Sequence, residues 1–421
     1  MRRPRLNQAS QQALARRLGL REAVVIGLGS MIGAGVFSAF APAAGAAGTA
    51  LLLGLAIAAV VAFCNATSSA QLAATYPTSG GTYVYGREQL GPWWGFVAGW
   101  GFVVGKTASC AAMALTFAAY AAPAGWTKPV ALAAVVALVA INYRGVHKTA
   151  AATGVLVAIV LVVLAIVVSV CFAAPRGTGP TIPTDPHGVL QSAGFLFFAF
   201  AGYARIATMG EEIREPRRTI PRAIVVALAI TVVIYFAVAT SLLHVLSAGG
   251  LASATAPLNE AARLADAGWA NPLVRVGATA ASLGALLALI AGVSRTMLAM
   301  SREHDLPAWL GAVHPRFRVP HYAELTLGVV VCVLVLSVDL RGAIGFSSFG
   351  VLTYYLVANL AALTQGRADR RYPRVLQLLG ILGCIVLAFA LPETAIIAGM
   401  AVIGVGVAFR AVRLATRSRP R

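Results

Sequence analysis

The sequence predicts an all-α integral membrane protein of about twelve transmembrane helices, on three observations: composition, recurring apolar runs and the placement of basic residues. Hydrophobic residues make up 59% of the 421 positions and charged residues 11%, with a mean hydropathy of +0.81. No soluble domain of this size could place that much apolar surface in water. Runs long enough to cross a ~30 Å hydrocarbon core at ~1.5 Å per residue recur along the whole chain. They cover residues 23–42, 48–74, 92–120, 128–143, 151–173, 189–210, 223–247, 273–294, 323–339, 343–364, 375–391 and 394–409. A formal charge of +19 would suggest a nucleic-acid partner for a soluble chain. Its placement gives a simpler account. With the N-terminus in the cytoplasm, 26 of the 33 Lys and Arg fall on cytoplasmic segments, which satisfies the positive-inside rule. Lys128, Arg176, Arg263 and Arg341 then lie in outer loops, and Lys106, Arg205 and Arg275 lie in spans. Twelve crossings bring both termini to the cytoplasmic side, and nucleic-acid binding needs no part in the account.

Taken in order, residues 1–22 form a basic arm with Arg2, Arg3, Arg5, Arg16, Arg17 and Arg21. No small-residue cleavage site follows a short apolar core, so the first run reads as an anchor and not as a cleaved signal peptide. That run contains Gly27-Leu28-Gly29-Ser30-Met31-Ile32-Gly33-Ala34-Gly35-Val36-Phe37, with four glycines. Glycine is a poor helix former, so the backbone can open here and aim bare N–H and C=O groups at a ligand. Open backbone at membrane depth is tolerated only where it lines an enclosed cavity. A second interruption, Phe198-Ala199-Phe200-Ala201-Gly202-Tyr203, falls in the sixth run, five spans later. Paired interruptions leading two groups of five spans are the sequence pointer to an inverted repeat. The first repeat covers residues 23–173 and the second 174–366; residues 367–410 supply two additional helices and 411–421 a basic cytoplasmic tail. The longest outer connection, Ser247 to Asn271, carries Glu260, Arg263 and Asp266 at helix-like spacing and is expected along the membrane surface.

Three motifs in order, GLGSMIGAGVF, the loop Tyr76-Pro77-Thr78-Ser79-Gly80-Gly81-Thr82-Tyr83, and FAFAGYARIATMGEEIREPRRTIPRAI from Phe198, resemble the amino acid–polyamine–organocation (APC) family of permeases. SREHDLP at Ser301 and HPRFRVP at His314 extend the resemblance over nearly the whole chain. It implies a LeuT-like fold with broken helices 1 and 6, and amino acid transport. A zwitterion needs donors for its carboxylate and acceptors for its ammonium. Free N–H groups near Gly33, Ala34 and Gly35, at the positive end of a helix, suit the carboxylate. The resemblance implies that the amine meets the carbonyls of Met31, Phe198, Ala199 and Ala201, with the Phe198 ring as a lid and Ile32 in the same opened stretch. The bland alternative is that these glycines merely allow close helix packing. A nucleotide-binding glycine loop is excluded, because the spacing is wrong and no strand precedes it.

Lys106 lies fourteen residues after Pro92 and thirteen before Ala119, close to the membrane centre. Intramembrane ionisable groups face a cavity or a partner and mark functional paths. Three roles fit it: carrying a coupling proton, contacting substrate, or packing with its stem against backbone carbonyls. In some members of the family this chain resembles, a lysine in the fifth span replaces the coupling sodium ion, but Thr149 to Val170 contains no charge here. Cys110 joins Lys106 among the substrate-lining residues. The other cysteines, Cys64, Cys171, Cys332 and Cys384, lack metal-ligand spacing and read as small core residues.

Arg205 precedes Glu211 by six residues, ~9 Å along a helix, and is expected to form a structural or gating ion pair with Glu211, Glu212 or another acid rather than to contact substrate. The run Glu211 to Arg218 is expected either to join a gate with Arg87 or Arg144 or to be solvated. The family often carries an acid where Ala204 stands, and its absence disfavours a cationic substrate. His147, His187, His244, His304, His314 and His321 form no metal or catalytic set, and no cofactor is expected. A bias of 30 Arg to 3 Lys suggests a high-GC bacterial genome and places the chain in a bacterial cytoplasmic membrane. The reading is a secondary active transporter that takes up neutral amino acids with protons, sodium remaining open as coupling ion. Exchange or efflux and a non-transporting amino acid sensor are the alternatives. An intramembrane enzyme would need a nucleophile–base pair or a metal set that the spans lack.

Overall fold

The computed structural model describes residues 18–78, 80–145, 150–180 and 182–417. The basic arm through Arg17, Ser79 in the second motif, His147, and the tail beyond Arg417 lie outside the described residues. The helices are α1 (Leu20–Met31), α2 (Ala34–Ser38), α3 (Phe40–Ala47), α4 (Leu51–Thr75), α5 (Gly81–Leu90), α6 (Pro92–Ala121), α7 (Thr127–Tyr143), α8 (Ala150–Ala173), α9 (Pro186–Phe200) and α10 (Ala204–Ala207). There follow α11 (Pro216–Ser253), α12 (Pro257–Leu264), α13 (Asn271–Arg302), α14 (His321–Ser337), α15 (Leu340–Leu363), α16 (Arg374–Ala390) and α17 (Glu393–Arg417). Extended pairing among the described residues is limited to one bridge, Leu18 to Ile213.

Nine segments among the described residues are long and apolar enough to cross a membrane: Leu20–Ser38, Phe40–Thr75, Pro92–Ala121, Ala151–Ala173, Pro186–Ala207, Pro216–Ser253, Gly268–Arg302, Leu340–Leu363 and Glu393–Thr416. Three further apolar helices, α7, α14 and α16, have 17 residues each. At ~1.5 Å per residue these are about one turn short of a ~30 Å core, which is why they stand apart by length. The connection between α11 and α13 holds α12, whose Glu260 carboxylate accepts from the Thr255 and Ala256 amides at 3.1 and 3.4 Å.

Helix ends follow local chemistry. Asp185 and Asp339 cap α9 and α15 by accepting from the amides of Gly188 and Gly342, and Pro186 fits the first turn because its missing N–H needs no partner there. Arg275, inside the Gly268–Arg302 segment as expected, caps the end of α6: it donates to the carbonyls of Tyr120 and Ala121 at 2.9 and 3.0 Å. Those carbonyls end a helix and would otherwise lack donor partners.

Of the nine long segments among the described residues, Pro92–Ala121, Pro186–Ala207 and Leu340–Leu363 are the most enclosed. Where α6 crosses α15, Gly101 and Gly105 meet Gly350. A β-carbon on Gly350 would lie 2.7 Å from the Gly105 Cα, and one on Gly105 would lie 3.0 Å from the Ser347 carbonyl oxygen. One turn on, the hydroxyls of Ser109 and Ser347 are 2.6 Å apart. Small residues four apart let backbones touch in a solvent that gives no hydrophobic drive to helix association. Gly350→Val should therefore cost about 1–3 kcal/mol or more by overpacking, read as a fall in the melting temperature of the detergent-solubilised protein. Gly404→Val, where a β-carbon meets nothing within 4 Å, should leave the melt unchanged. Equal melts for the two variants would show that the crossing is not close-packed.

Candidate functional site

The first interruption is narrower than the glycine run that announced it. Helix α1 ends at Met31; Ile32 (φ −83°, ψ 48°) and Gly33 (φ −97°, ψ −140°) leave helical geometry, and α2 begins at Ala34. Gly27 and Gly29 stay helical and serve packing, since β-carbons there would press on Ile206 and on Thr153. The sixth span is tightened rather than opened: α9 runs to Phe200, Ala201–Tyr203 form a 3₁₀ turn, and α10 resumes the helix. The two interruptions touch. A β-carbon on Gly35 would lie 2.7 Å from the Ala199 Cα, and one on Gly202 would overlap the Ser30 carbonyl.

Met31, Ile32, Gly33, Ala34, Gly35, Phe198, Ala199 and Ala201 are all buried at this junction. Its carbonyls are held by side chains from elsewhere in the chain. The Tyr235 hydroxyl, from α11, lies 2.6 Å from the Met31 carbonyl oxygen and 3.0 Å from that of Ala199, and donates to the pair. Tyr355, from α15, donates to the Ala201 carbonyl at 3.3 Å. Lys106, from the middle of α6, reaches the same oxygen with its Nζ at 3.4 Å. Aromatic rings close around these contacts: Phe200 sits 4.9 Å from Tyr235, and Tyr203 and Phe197 sit 5.0 and 5.8 Å from Tyr355. Lys106 and Cys110 are both buried, one helical turn apart. The Ala201 carbonyl oxygen gives the buried Lys106 amine a backbone acceptor in the membrane interior.

Tyr235 and Tyr355 were not singled out by the sequence. A tyrosine inside an apolar run, well away from either end, is the available signal, because a buried phenol seeks a partner for its O–H.

The charged residues form a different arrangement from the one expected. Helix α10 ends at Ala207, so Arg205 and Glu211 do not share a helix, and the 9 Å separation drawn from helical rise does not apply. Arg205 donates to the Thr208 hydroxyl at 3.4 Å and lies within electrostatic reach of the Glu212 carboxylate. Arg87 pairs with Glu303 at 2.9 Å and Asp305 at 3.5 Å rather than with the Glu211–Arg218 run. Asp305 also receives the Tyr83 hydroxyl at 2.8 Å and the Arg410 guanidinium, which lies over the Trp93 and Phe96 rings. Burial pushes the Asp305 carboxyl above its ordinary value, against the opposing pull of Tyr83, Arg410 and Arg87. Near the start of α1, the chain is tied to the segment after α10 by Leu18 N–H to Glu212 O at 3.1 Å and Arg214 N–H to Leu18 O at 2.8 Å. Among the described residues, no group of three or more His, Cys, Asp or Glu could hold a metal ion.

The sequence model of the family described as amino acid permease matches residues 22–412. Over 429 aligned positions, spanning 100% of this chain and 96% of the relative, the chain is 59% identical to an uncharacterised transporter of Mycobacterium tuberculosis. It is similar, at 24% identity over 94% of its length and 88% of the relative, to the branched-chain amino acid permease of Bacillus subtilis. At 27% identity over 84% of its length and 66% of the relative, it is similar to cationic amino acid transporter 7 of Arabidopsis thaliana chloroplasts. Matched from its first long helix to its last, the chain belongs to the amino acid permease family.

Proposed function

We propose that the protein is a secondary active transporter that takes up neutral amino acids with protons, holding the substrate zwitterion where the interrupted first and sixth spans meet. The observation that carries this reading is the convergence of the Met31, Ala199 and Ala201 carbonyls on Tyr235, Tyr355 and Lys106 in one buried junction. The N–H groups of Gly33, Ala34 and Gly35 face the substrate carboxylate, with Ile32 in the opened backbone beside them. The carbonyls, that of Phe198 included, accept from the ammonium. The Phe198 ring covers the side chain, and Lys106 and Cys110 line the wall opposite. In the arrangement described above, phenol hydroxyls satisfy the carbonyls, and an arriving ammonium replaces them without leaving buried oxygens unpaired. Arg205 and Glu211 act on the cytoplasmic side, in gating.

The frame for this cycle is LeuT-like. Helices α7, α14 and α16 cross with the nine longer segments, residues 23–173 and 174–366 form the inverted repeats, and both termini are cytoplasmic in a bacterial plasma membrane. Relatives are named for branched-chain and for cationic amino acids. The neutral class is favoured here because a buried lysine stands at the junction and no Asp or Glu is among its residues; a second positive side chain would meet repulsion with no compensating partner. One observation favours exchange or export as a second reading. Lys106 occupies the Ala201 carbonyl assigned to the substrate ammonium, and competition between two ligands for one group is antagonistic linkage.

Two variants test the reading. Lys106→Met keeps much of the length and removes the charge; reconstituted in proteoliposomes, it should bind substrate and support counterflow while losing accumulation driven by a pH gradient. Full proton-driven accumulation by this variant would remove Lys106 from coupling. Gly35→Leu places side-chain atoms against the Ala199 backbone and should weaken binding at least about tenfold, ~1.4 kcal/mol, with membrane insertion intact. The check is a thermal-shift screen against neutral amino acids, and a shift equal to that of the unaltered protein would take the first interruption out of the site.

A further inference from the structure

Helix α5 is bonded to the inner half of the sixth span through one face and to the loop after α13 through another. Its two tyrosines, Tyr83 and Tyr85, stand two residues apart, a spacing that points them to different sides of an α-helix. Tyr85 donates to the carbonyl of Ala207, the last residue of α10, at 3.0 Å. Tyr83 donates to the Asp305 carboxylate at 2.8 Å, and Arg87 on the next turn reaches Glu303 and Asp305. At its start, Gly81 has a φ of +55°, and a β-carbon there would lie 3.1 Å from Thr208 Cγ2 and 3.0 Å from the Tyr354 hydroxyl. The Thr82 amide donates to that hydroxyl at 3.1 Å. Thus α5 lies against the end of the sixth span and beside Tyr355, the neighbour of Tyr354 that donates to the Ala201 carbonyl.

Asp305 is held in place from two directions. Helix α13 ends at Arg302, and His304 takes a left-handed φ of 62°, which disfavours any residue with a β-carbon. This turn brings the Asp305 amide back onto the Met300 carbonyl at 2.7 Å. Backbone in such a region persists only where its surroundings over-determine it. The second hold comes from the last helix. Arg410 pairs with Asp305 while its guanidinium lies 5.1 and 5.0 Å from the Trp93 and Phe96 ring centres, and Arg413, one turn on, donates to the Leu306 carbonyl. The carboxylate is therefore divided: Oδ2 serves Tyr83 and Arg87 of α5, and Oδ1 serves Arg410 of α17.

We propose that Asp305 is a positioning residue for transport: through Tyr83 and α5 it pins the inner half of the sixth span, and α17 sets the strength of that hold through Arg410. The proposal rests on the reading that substrate exits to the cytoplasm past α10. Asp305 itself touches no substrate. Opening the inner side moves α10 relative to the end of α13, so the helix bonded to both must release one of them. A contact made only in the closed arrangement lowers the population of the open one, and removing it raises that population. Arg410 acts through the same carboxylate. Without its guanidinium a buried charge is under-compensated, and turning that charge out to water takes Oδ2 away from α5.

The test uses two reporter cysteines in a chain carrying Cys332→Ser, the other four native cysteines being buried. Thr208→Cys lies under the start of α5. Asn259→Cys lies at the opposite end of α13, on a cavity of about 500 Å³ between the end of α6, α12 and the start of α13. Each is labelled with a membrane-impermeant maleimide, the first in inverted vesicles and the second in right-side-out vesicles. Tyr83→Phe keeps the ring that packs on Gly99 and removes the hydroxyl; Arg410→Met removes the guanidinium. We expect each to label Thr208→Cys about tenfold faster, the shift from losing one charge-assisted hydrogen bond. Asn259→Cys should label more slowly, because inner and outer opening exclude each other in alternating access. Arg410→Lys, which keeps a charge, should recover most of the unaltered pattern. Unchanged labelling of Thr208→Cys in either Tyr83→Phe or Arg410→Met overturns the proposal. Faster labelling at both reporters shows a general loosening and overturns it as well. If Thr208→Cys, with Tyr83 and Arg410 intact, labels only from the external face, the reading of the inner exit fails and the proposal with it.

Discussion

Everything in this molecule depends on one constraint: inside a bilayer each backbone N–H and C=O must find a partner within the protein. Uninterrupted helices meet it locally. At Ile32–Gly33 and at Ala201–Tyr203 the chain leaves α-helical geometry, and the freed carbonyls of Met31, Ala199 and Ala201 are met by Tyr235, Tyr355 and Lys106 instead. These three side chains come from α11, α15 and α6, so two local interruptions tie together helices distant in sequence. In the proposed function the same oxygens also accept from the substrate ammonium, so that structural satisfaction and ligand binding use one set of atoms.

The remaining polar load is gathered where it supports that junction. Outside it, Arg275 closes the end of α6, and the Tyr120 hydroxyl donates to the Phe37 carbonyl at the end of α2 at 3.0 Å. On the other side, Asp305 binds Tyr83, Arg87 and Arg410 and so joins α5, the loop after α13 and α17. An aspartate stripped of water is held by two guanidinium groups and a phenol, and removing one partner would leave an uncompensated buried charge. The glycine contact of α6 with α15 fixes the two helices that deliver Lys106 and Tyr355 to the same carbonyl.

Membrane class, helical content and the positions of both interruptions were legible in the sequence, because apolar length and clustered glycine each have a direct physical consequence. The role of each glycine was not. Gly27 and Gly29 pack within α1 while Gly33 stands at the junction, and the same residue type serves close packing and backbone opening equally well. Tyr235 meets Met31 across 204 residues and Tyr355 meets Ala201 across 154, a pairing that periodicity cannot show. The expected partners of Arg87 were misplaced for the same reason: Glu303 and Asp305 come close only after α5 packs on α6 and α6 on α13. The 3₁₀ turn at Ala201 was read as open backbone because glycine and small residues permit both geometries.

The most direct measurement is a cryo-electron microscopy structure of the detergent- or nanodisc-embedded protein with a bound neutral amino acid taken from a thermal-shift screen. The account predicts the carboxylate at the N–H groups of Gly33–Gly35 and the ammonium on the carbonyls of Met31, Ala199 and Ala201, with the Tyr235 hydroxyl displaced from at least one of them. A substrate bound elsewhere, with Tyr235 and Lys106 still on those carbonyls, would contradict it.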